Sequence, residues 1–240
     1  MIGKNIIVFG GSGVIGGEIC KLLNAITPEY KTDAYQVFNA DLNDVIVPGV
    51  EFVHVDILNG NSVKRAFDQI IRTHGPIYAI INCTYPKPKR YMQNPWSTTT
   101  DGDYLTFFNL HLISNLSLCK FAMEYNVKNV ILLSSIYGAK IPEDWIYENS
   151  CIHKTPLEYC MAKSAINQLV RYVSKDIHIN AIAPGGIESD SMDATFKTNY
   201  RKRAEFTKVN EIAGMVAYLL SDDGQGINGQ VITVDGGFCR

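Results

Sequence analysis

Asn5-Ile-Ile-Val-Phe9 runs straight into Gly10-Gly-Ser12-Gly13-Val14-Ile15-Gly16, and this junction decides the fold. The first five residues read as a buried strand. The residues after the glycines place Ile15, Ile19, Leu22 and Leu23 on one face of a helix. Glycine between the two permits a sharp turn, a close approach of backbone to a pyrophosphate, and tight packing of helix on strand. The helix N-terminus adds amide donors for the phosphates. Glycine clusters elsewhere are commonly mere turns; at the first strand-to-helix junction this one is expected to bind a dinucleotide through Gly10, Ser12, Gly13, Val14 and Ile15.

Working outward, similar apolar runs recur at Tyr35–Ala40, Glu51–Val55, Ile77–Ile81, Val130–Leu133, Ile177–Ile182 and Gln230–Val234. Helical spacing is clearest where Ala162, Ile166, Leu169 and Val173 share a face, and again over Glu211–Leu220 with Asn210 as its N-cap. Apolar strands alternating with helices predict an α/β chain: a doubly wound parallel sheet of about seven strands with helices on both faces. One domain is expected over residues 1–240, with loop excursions at 85–103 and 189–208. Both excursions leave the carboxyl ends of strands, where open parallel sheets bind ligands.

The 240 residues are 46% hydrophobic and 19% charged, enough for a sizeable core. A net charge of -2 and a pI of about 6.2 give no broad electrostatic reason to expect nucleic acid or an anionic membrane as partner. Cys20, Cys83, Cys119, Cys151, Cys160 and Cys239 form no CxxC pair and no zinc spacing, so free thiols and no metal site are expected. No apolar run has the length of a signal peptide or a membrane span, and a cytoplasmic protein is the expectation.

Asp41 closes the second strand, where a carboxylate accepts both adenosine ribose hydroxyls and repels a 2′-phosphate; NAD is therefore favoured over NADP. A solvated turn within Asn39–Asp44 is the competing reading of Asp41. Tyr159 and Lys163 lie one helical turn apart. An ammonium beside a phenol favours the phenolate, so Tyr159 is expected to exchange a proton with an alcohol as hydride moves. Tyr85 and Lys89 share that spacing, but Pro86 and Pro88 forbid a helix there. Ser135, directly after the fifth strand, is placed to hold the substrate oxygen beside Tyr159.

Together these residues resemble the short-chain dehydrogenase/reductase family over essentially the whole chain, which implies a single-domain Rossmann fold. The resemblance implies a catalytic tetrad of Asn109, Ser135, Tyr159 and Lys163, with Asn109 at a helix bulge holding a water that relays protons to Lys163. It places Asp56-Ile57 against adenine and Asn82-Cys83-Thr84 behind the cofactor. It sets Asn180–Ser189, with Pro184, Ile187 and Ser189, around the nicotinamide carboxamide, and Gly229–Gly237 as the last strand and turn. There are departures. Gly10, Gly13 and Gly16 follow the GxxGxxG of the family's extended branch, while the Asp235-Gly-Gly237 ending is of the single-domain branch. Ser135 and Tyr159 are 24 positions apart, about twice the common spacing, and Thr84 stands where glycine is usual. Ile80–Pro86, Asn109–Leu112 and Ser134–Gly138 are similar to bacterial reductases of flagellin glycosylation and sialic-acid-like sugar synthesis.

The substrate is accordingly expected to be a sugar phosphate or nucleotide sugar. Lys87, Lys89 and Arg90 on one loop, with Arg201, Lys202 and Arg203 on the other, would hold an anion; solvated loop charges are the alternative. Tyr91, Trp96, Trp145 and Tyr147 would stack on a sugar or base, or pack a loop. Cys151 and Cys160 read as packing thiols. Two other functions compete: a reductase of small carbonyl or carrier-bound acyl substrates, and a non-catalytic dinucleotide-binding regulator. By resemblance a homo-dimer or homo-tetramer is expected, the catalytic helix offering Met161, Ala165 and Val170 to a partner.

Overall fold

The computed structural model describes residues 4–26, 35–87 and 95–240. Lys89, Arg90 and Tyr91, expected near the substrate, lie outside the described residues.

Seven strands form one parallel sheet: β1 (Lys4–Phe9), β2 (Tyr35–Asp41), β3 (Glu51–His54), β4 (Ile77–Asn82), β5 (Asn129–Leu133), β6 (Ile179–Pro184) and β7 (Val231–Val234). Their order is β3-β2-β1-β4-β5-β6-β7. The chain winds one way from β1 to β3 and the other from β4 to β7. The crevice between β1 and β4 is therefore a topological switch point, where such sheets bind ligands.

Alternation within β1 builds both layers of core. Ile7 and Phe9 join the side covered by α2 (Gly60–His74), α4 (Ser114–Glu124) and α6 (Leu157–Val173). Ile6 and Val8 join the side covered by α1 (Val14–Ala25) and α8 (Val209–Leu220). Burial of side chains such as Phe67 on α2, each giving about 1.5–3 kcal/mol, supplies the attraction that holds helix to sheet.

Most boundaries shift from the sequence reading by one or two residues, and two of the shifts have a visible cause. α8 starts at Val209 with Lys208 as N-cap, not at Asn210, because the Glu211 carboxylate reaches back and accepts the Lys208 N–H at 3.0 Å. β6 starts at Ile179 because the amide of Ile177 still donates to the Val173 carbonyl, finishing the turn that leaves α6.

A third apolar cluster lies off the sheet: Ile136, Ile146, Phe196, Tyr200, Ala204, Phe206 and Phe238. It unites the short helix α5 (Asp144–Tyr147), inside the long Ser135–Tyr159 spacing, with α7 (Ala194–Arg201) from the polar excursion. The chain end closes it. Both Asp235 carboxylate oxygens accept backbone amides, from Gly237 at 2.9 Å and Cys239 at 2.7 Å. Gly236 and Gly237 adopt φ of 60° and 85°, which turns Phe238 inward to stack on Tyr200. No helix among the described residues is long and apolar enough to cross a membrane.

Candidate active site

The switch-point crevice opens as two lobes that share Ile15, Cys83, Thr84 and Tyr85. The first, about 740 Å³, is lined by the glycine turn, by Asp41 to Asn43 and by Ile57. The second, about 410 Å³, holds Ser135, Tyr159 and Lys163 with Pro184 and Ile187.

The glycine turn has the form a phosphate needs. Gly10 takes φ 76°, and a Cβ there would meet the Thr84 amide at 2.8 Å. A Cβ on Gly16 would run into the Gly10 carbonyl. At Gly13 a Cβ would touch only the Gly10 carbonyl, at 3.2 Å, so the chain's own packing does not demand glycine there. The space kept clear faces the lobe. Helix α1 begins at this point with no side-chain cap and no acidic residue in its first turn, leaving its amide donors to an anion. Asp41 accepts the Ser12 amide at 3.2 Å and the Asn43 amide at 3.1 Å, one on each oxygen, which leaves each oxygen with acceptor capacity for a ribose hydroxyl. These residues fit a dinucleotide.

Asn82 lies beneath the floor rather than in its lining. Its Oδ1 accepts the Thr84 amide at 3.0 Å and the Thr84 hydroxyl at 2.7 Å, and its Nδ2 donates to Asn115 at 2.8 Å. The hydroxyl that replaces the usual glycine hydrogen thus ties the floor to α4. Asp56 is a turn residue: its Oδ1 accepts the Leu58 amide at 3.0 Å and its own amide donates to Ser62, while only Ile57 of that pair lines the lobe. Ser189 is exposed, 3.1 Å from the Ser191 hydroxyl, and outside the lining.

Tyr159 and Ser135 both line the second lobe. Burial pushes the Tyr159 phenol up to about 12, outweighing the Ser135 hydroxyl, which works the other way. The phenol is therefore the resting form, where the spacing with Lys163 suggested help toward phenolate. Lys163 Nζ lies 5.6 Å from the Tyr159 ring centre and donates to the Leu133 carbonyl at 2.7 Å. Burial away from any carboxylate draws the lysine down to about 8.

Asn109 does not join them. Asn109–Ile113 is a π-helical turn joining α3 (Asp101–Phe108) to α4, as the expected bulge requires. Its phase, however, turns Asn109 outward to a separate groove with Leu58 and Ser117. His111 is the buried side chain of that turn, its ring 4.9 Å from Tyr85, and Tyr85 in turn meets Tyr159 edge-on at 5.7 Å. Burial and the Lys163 charge lower His111 to about 4.

The basic residues of the second excursion do not face the substrate lobe. Arg201 pairs with Glu188 at 2.6 Å, Lys202 donates to Asn199, and Arg203 donates to the Phe238 and Arg240 carbonyls. Of the aromatic candidates, Tyr147 lines the lobe, Trp145 packs on the third cluster and Trp96 is exposed. Cys160 is half-buried, while Cys151 is exposed rather than packed. Sequence reasoning missed Thr155, Ile152, Met192, Phe196 and Tyr200 as lining residues. The i, i+4 pair Phe196/Tyr200 was the available signal, hidden in a segment that is polar on average.

Residues 33–239 match the family model described as enoyl-(acyl carrier protein) reductase. The post-translational flagellin modification protein A of Campylobacter coli is 29% identical over 252 residues, covering 98% of each chain. The 3-oxoacyl-acyl-carrier-protein reductase MabA of Mycobacterium tuberculosis is 22% identical, over 98% of this chain and 93% of that protein. A short-chain dehydrogenase from Leptospira borgpetersenii, solved with bound NAD+, shares the fold at a TM-score of 0.84 and 24% identity, over 99% of this chain and 93% of that one. The chain belongs to the short-chain dehydrogenase/reductase family. It is an NAD(P)-dependent oxidoreductase of that family.

Proposed function

We propose that the protein uses NAD to interconvert a secondary alcohol and a ketone on a sugar, presented as a nucleotide sugar or sugar phosphate. The carrying observation is that Ser135, Tyr159 and Lys163 open into the same crevice as the glycine turn. The dinucleotide would rest on the Gly10–Ile15 turn and Asp41, and would supply the hydride acceptor or donor. Ser135 orients the substrate oxygen. Tyr159 takes the hydroxyl proton in oxidation and returns it in reduction. Lys163, its Nζ anchored on the Leu133 carbonyl, stabilises the phenolate that oxidation requires. The π-turn residue Asn109 is left out of this machinery.

Asp41 supports NAD over NADP, since a 2′-phosphate would meet its carboxylate; Lys87 is the single cation among the described residues of that lobe's lining. The hydroxyl-bearing side chains of the second lobe support a sugar, and the likeness to a flagellin modification protein agrees with the sequence resemblance to reductases of flagellin glycosylation. The anionic part of the reading rests on the first basic loop, of which Lys87 is described. A second copy of the chain is proposed to cover the apolar strip formed by Phe108, Leu112, Leu157, Met161 and Ala165. Val170, expected on that strip, is instead wholly inside the chain's own core.

The test mixes the protein with NAD or NADP and a panel of nucleotide sugars, sugar phosphates and acetoacetyl-coenzyme A, in both directions, following nicotinamide absorbance. NAD-linked turnover of a sugar supports the reading. Turnover confined to the acyl thioester favours the acyl reductase. Dinucleotide binding with no turnover of any member favours a regulator.

A further inference from the structure

Three hydroxyls stand in file along one wall of the second lobe. Tyr137 Oη lies 3.2 Å from Tyr147 Oη, which lies 3.0 Å from Thr155 Oγ1. All three line the lobe with Tyr159. They come from three separate pieces of the Ser135–Tyr159 stretch. Tyr137 sits in the turn Ile136–Gly138, Tyr147 ends α5, and Thr155 stands one residue before Pro156, the N-cap of the catalytic helix.

Proton counting gives the file a definite chemistry. Three hydroxyls carry three protons, and two links use two of them. One donor is always left for an acceptor outside the file. Either oxygen of each link can donate, so the spare proton sits at Tyr137, Tyr147 or Thr155 according to the direction of the links. Burial pushes the Tyr137 phenol far above its ordinary value, so it keeps its proton. A ligand with hydroxyl oxygens can meet the spare donor and reciprocate with its own protons. An alkyl chain along the same wall leaves the donor unpaired, a penalty of about ten- to a hundredfold in affinity. The neighbouring Ile152, Met192 and Phe196 offer apolar surface suited to the C–H face of a ring.

We infer that Tyr137, Tyr147 and Thr155 are the specificity-determining residues of this site, selecting a ring that bears several hydroxyls over an acyl chain. This rests on the oxidoreductase reading of Tyr159.

The probes are 2-keto-myo-inositol and cyclohexanone, which share a six-membered ring ketone and differ in hydroxyls. Ligand-observed NMR measures the affinity of each for the NADH-loaded protein, for Tyr147→Phe and for Thr155→Val, with thermal melts to confirm folding. The expected result is tighter binding of the polyhydroxylated ketone by the unaltered protein, and a fall in the affinity ratio of about tenfold in Tyr147→Phe. Thr155→Val, which removes one end of the file, is expected to lower the ratio in the same direction. Equal affinities, a ratio unchanged in both variants, or binding of neither probe with NADH in place would overturn the inference. Failure of NADH itself to bind would strike the oxidoreductase reading instead, and fluorescence of the bound nicotinamide reports that separately.

Discussion

The dinucleotide lobe takes much of its lining from residues at or directly after strand ends: Gly10–Ile15 after β1, Asp41 at the end of β2 with Leu42–Val45 after it, Cys83–Lys87 after β4. The substrate lobe is walled by two stretches, around Tyr137–Thr155 and Gly186–Tyr200, that are far apart in the chain and meet through the third cluster and the Asn199 side chain, which donates to the Ile146 and Glu148 carbonyls. In the first lobe, conformation follows from strand ends and glycine stereochemistry within a few residues. In the second it follows from packing of one insertion against another. The two should therefore respond differently to substitution.

The largest separation is expected from Phe238→Ala. Phe238 is buried and stacks on Tyr200 at 5.0 Å, so its removal should cost about 3–5 kcal/mol of stability in denaturant unfolding. NADH affinity of the folded fraction should stay near that of the unaltered chain. A parallel loss of NADH affinity would break the separation. Next comes a pair within the glycine turn. Gly16→Ala drives a Cβ into the Gly10 carbonyl and should destabilise by about 1–3 kcal/mol with loss of NADH binding. Gly13→Ala should melt near the unaltered protein yet bind NADH weakly, because the methyl enters space reserved for the ligand. Equal melting losses in the two would contradict that assignment.

A pH effect sharpens the boundary between the lobes, where Lys163 sits. Burial lowers its pKa from 10.5 to about 8, so between those values the folded chain binds fewer protons than the unfolded one. Stability from this group therefore rises as pH rises through that window, and the cost of the buried ammonium is fully present below pH 8. Lys163→Met should raise the thermal midpoint most below pH 8, with the gap narrowing toward pH 10.5. A gap independent of pH would contradict the buried-ammonium account. The smallest effect is expected for Asn109→Ala. Its side chain faces the outer groove, and turnover should change by less than about threefold.

The first region was legible because its signals are local. All seven strands were found from apolar runs, and the glycine turn from its place after β1. Asp41 ends β2 and lines the lobe, where its place after an apolar run predicts a strand-end residue. The second region was legible only as an unusual length between Ser135 and Tyr159. Nothing within 136–158 announces that Tyr147 and Thr155 converge on Tyr137, since α5 is held by α7 rather than by its own sequence. The bulge expected at Asn109 is present, but which side chain it turns inward was not legible: His111 is buried while Asn109 lines the outer groove. The clustered charges at Arg201–Arg203 suggested an anion clamp, whereas each finds a partner away from the lobe, in Glu188, Asn199 or the chain-end carbonyls.

The most direct test of the account is Tyr159→Phe, with turnover of the sugar substrate and NADH affinity measured on the same preparation. Loss of the phenol that moves the proton should lower turnover by about a thousandfold or more while NADH affinity stays within about twofold. Retained turnover, or a parallel collapse of NADH binding in a folded variant, would contradict the assignment of Tyr159 as the proton-transferring group.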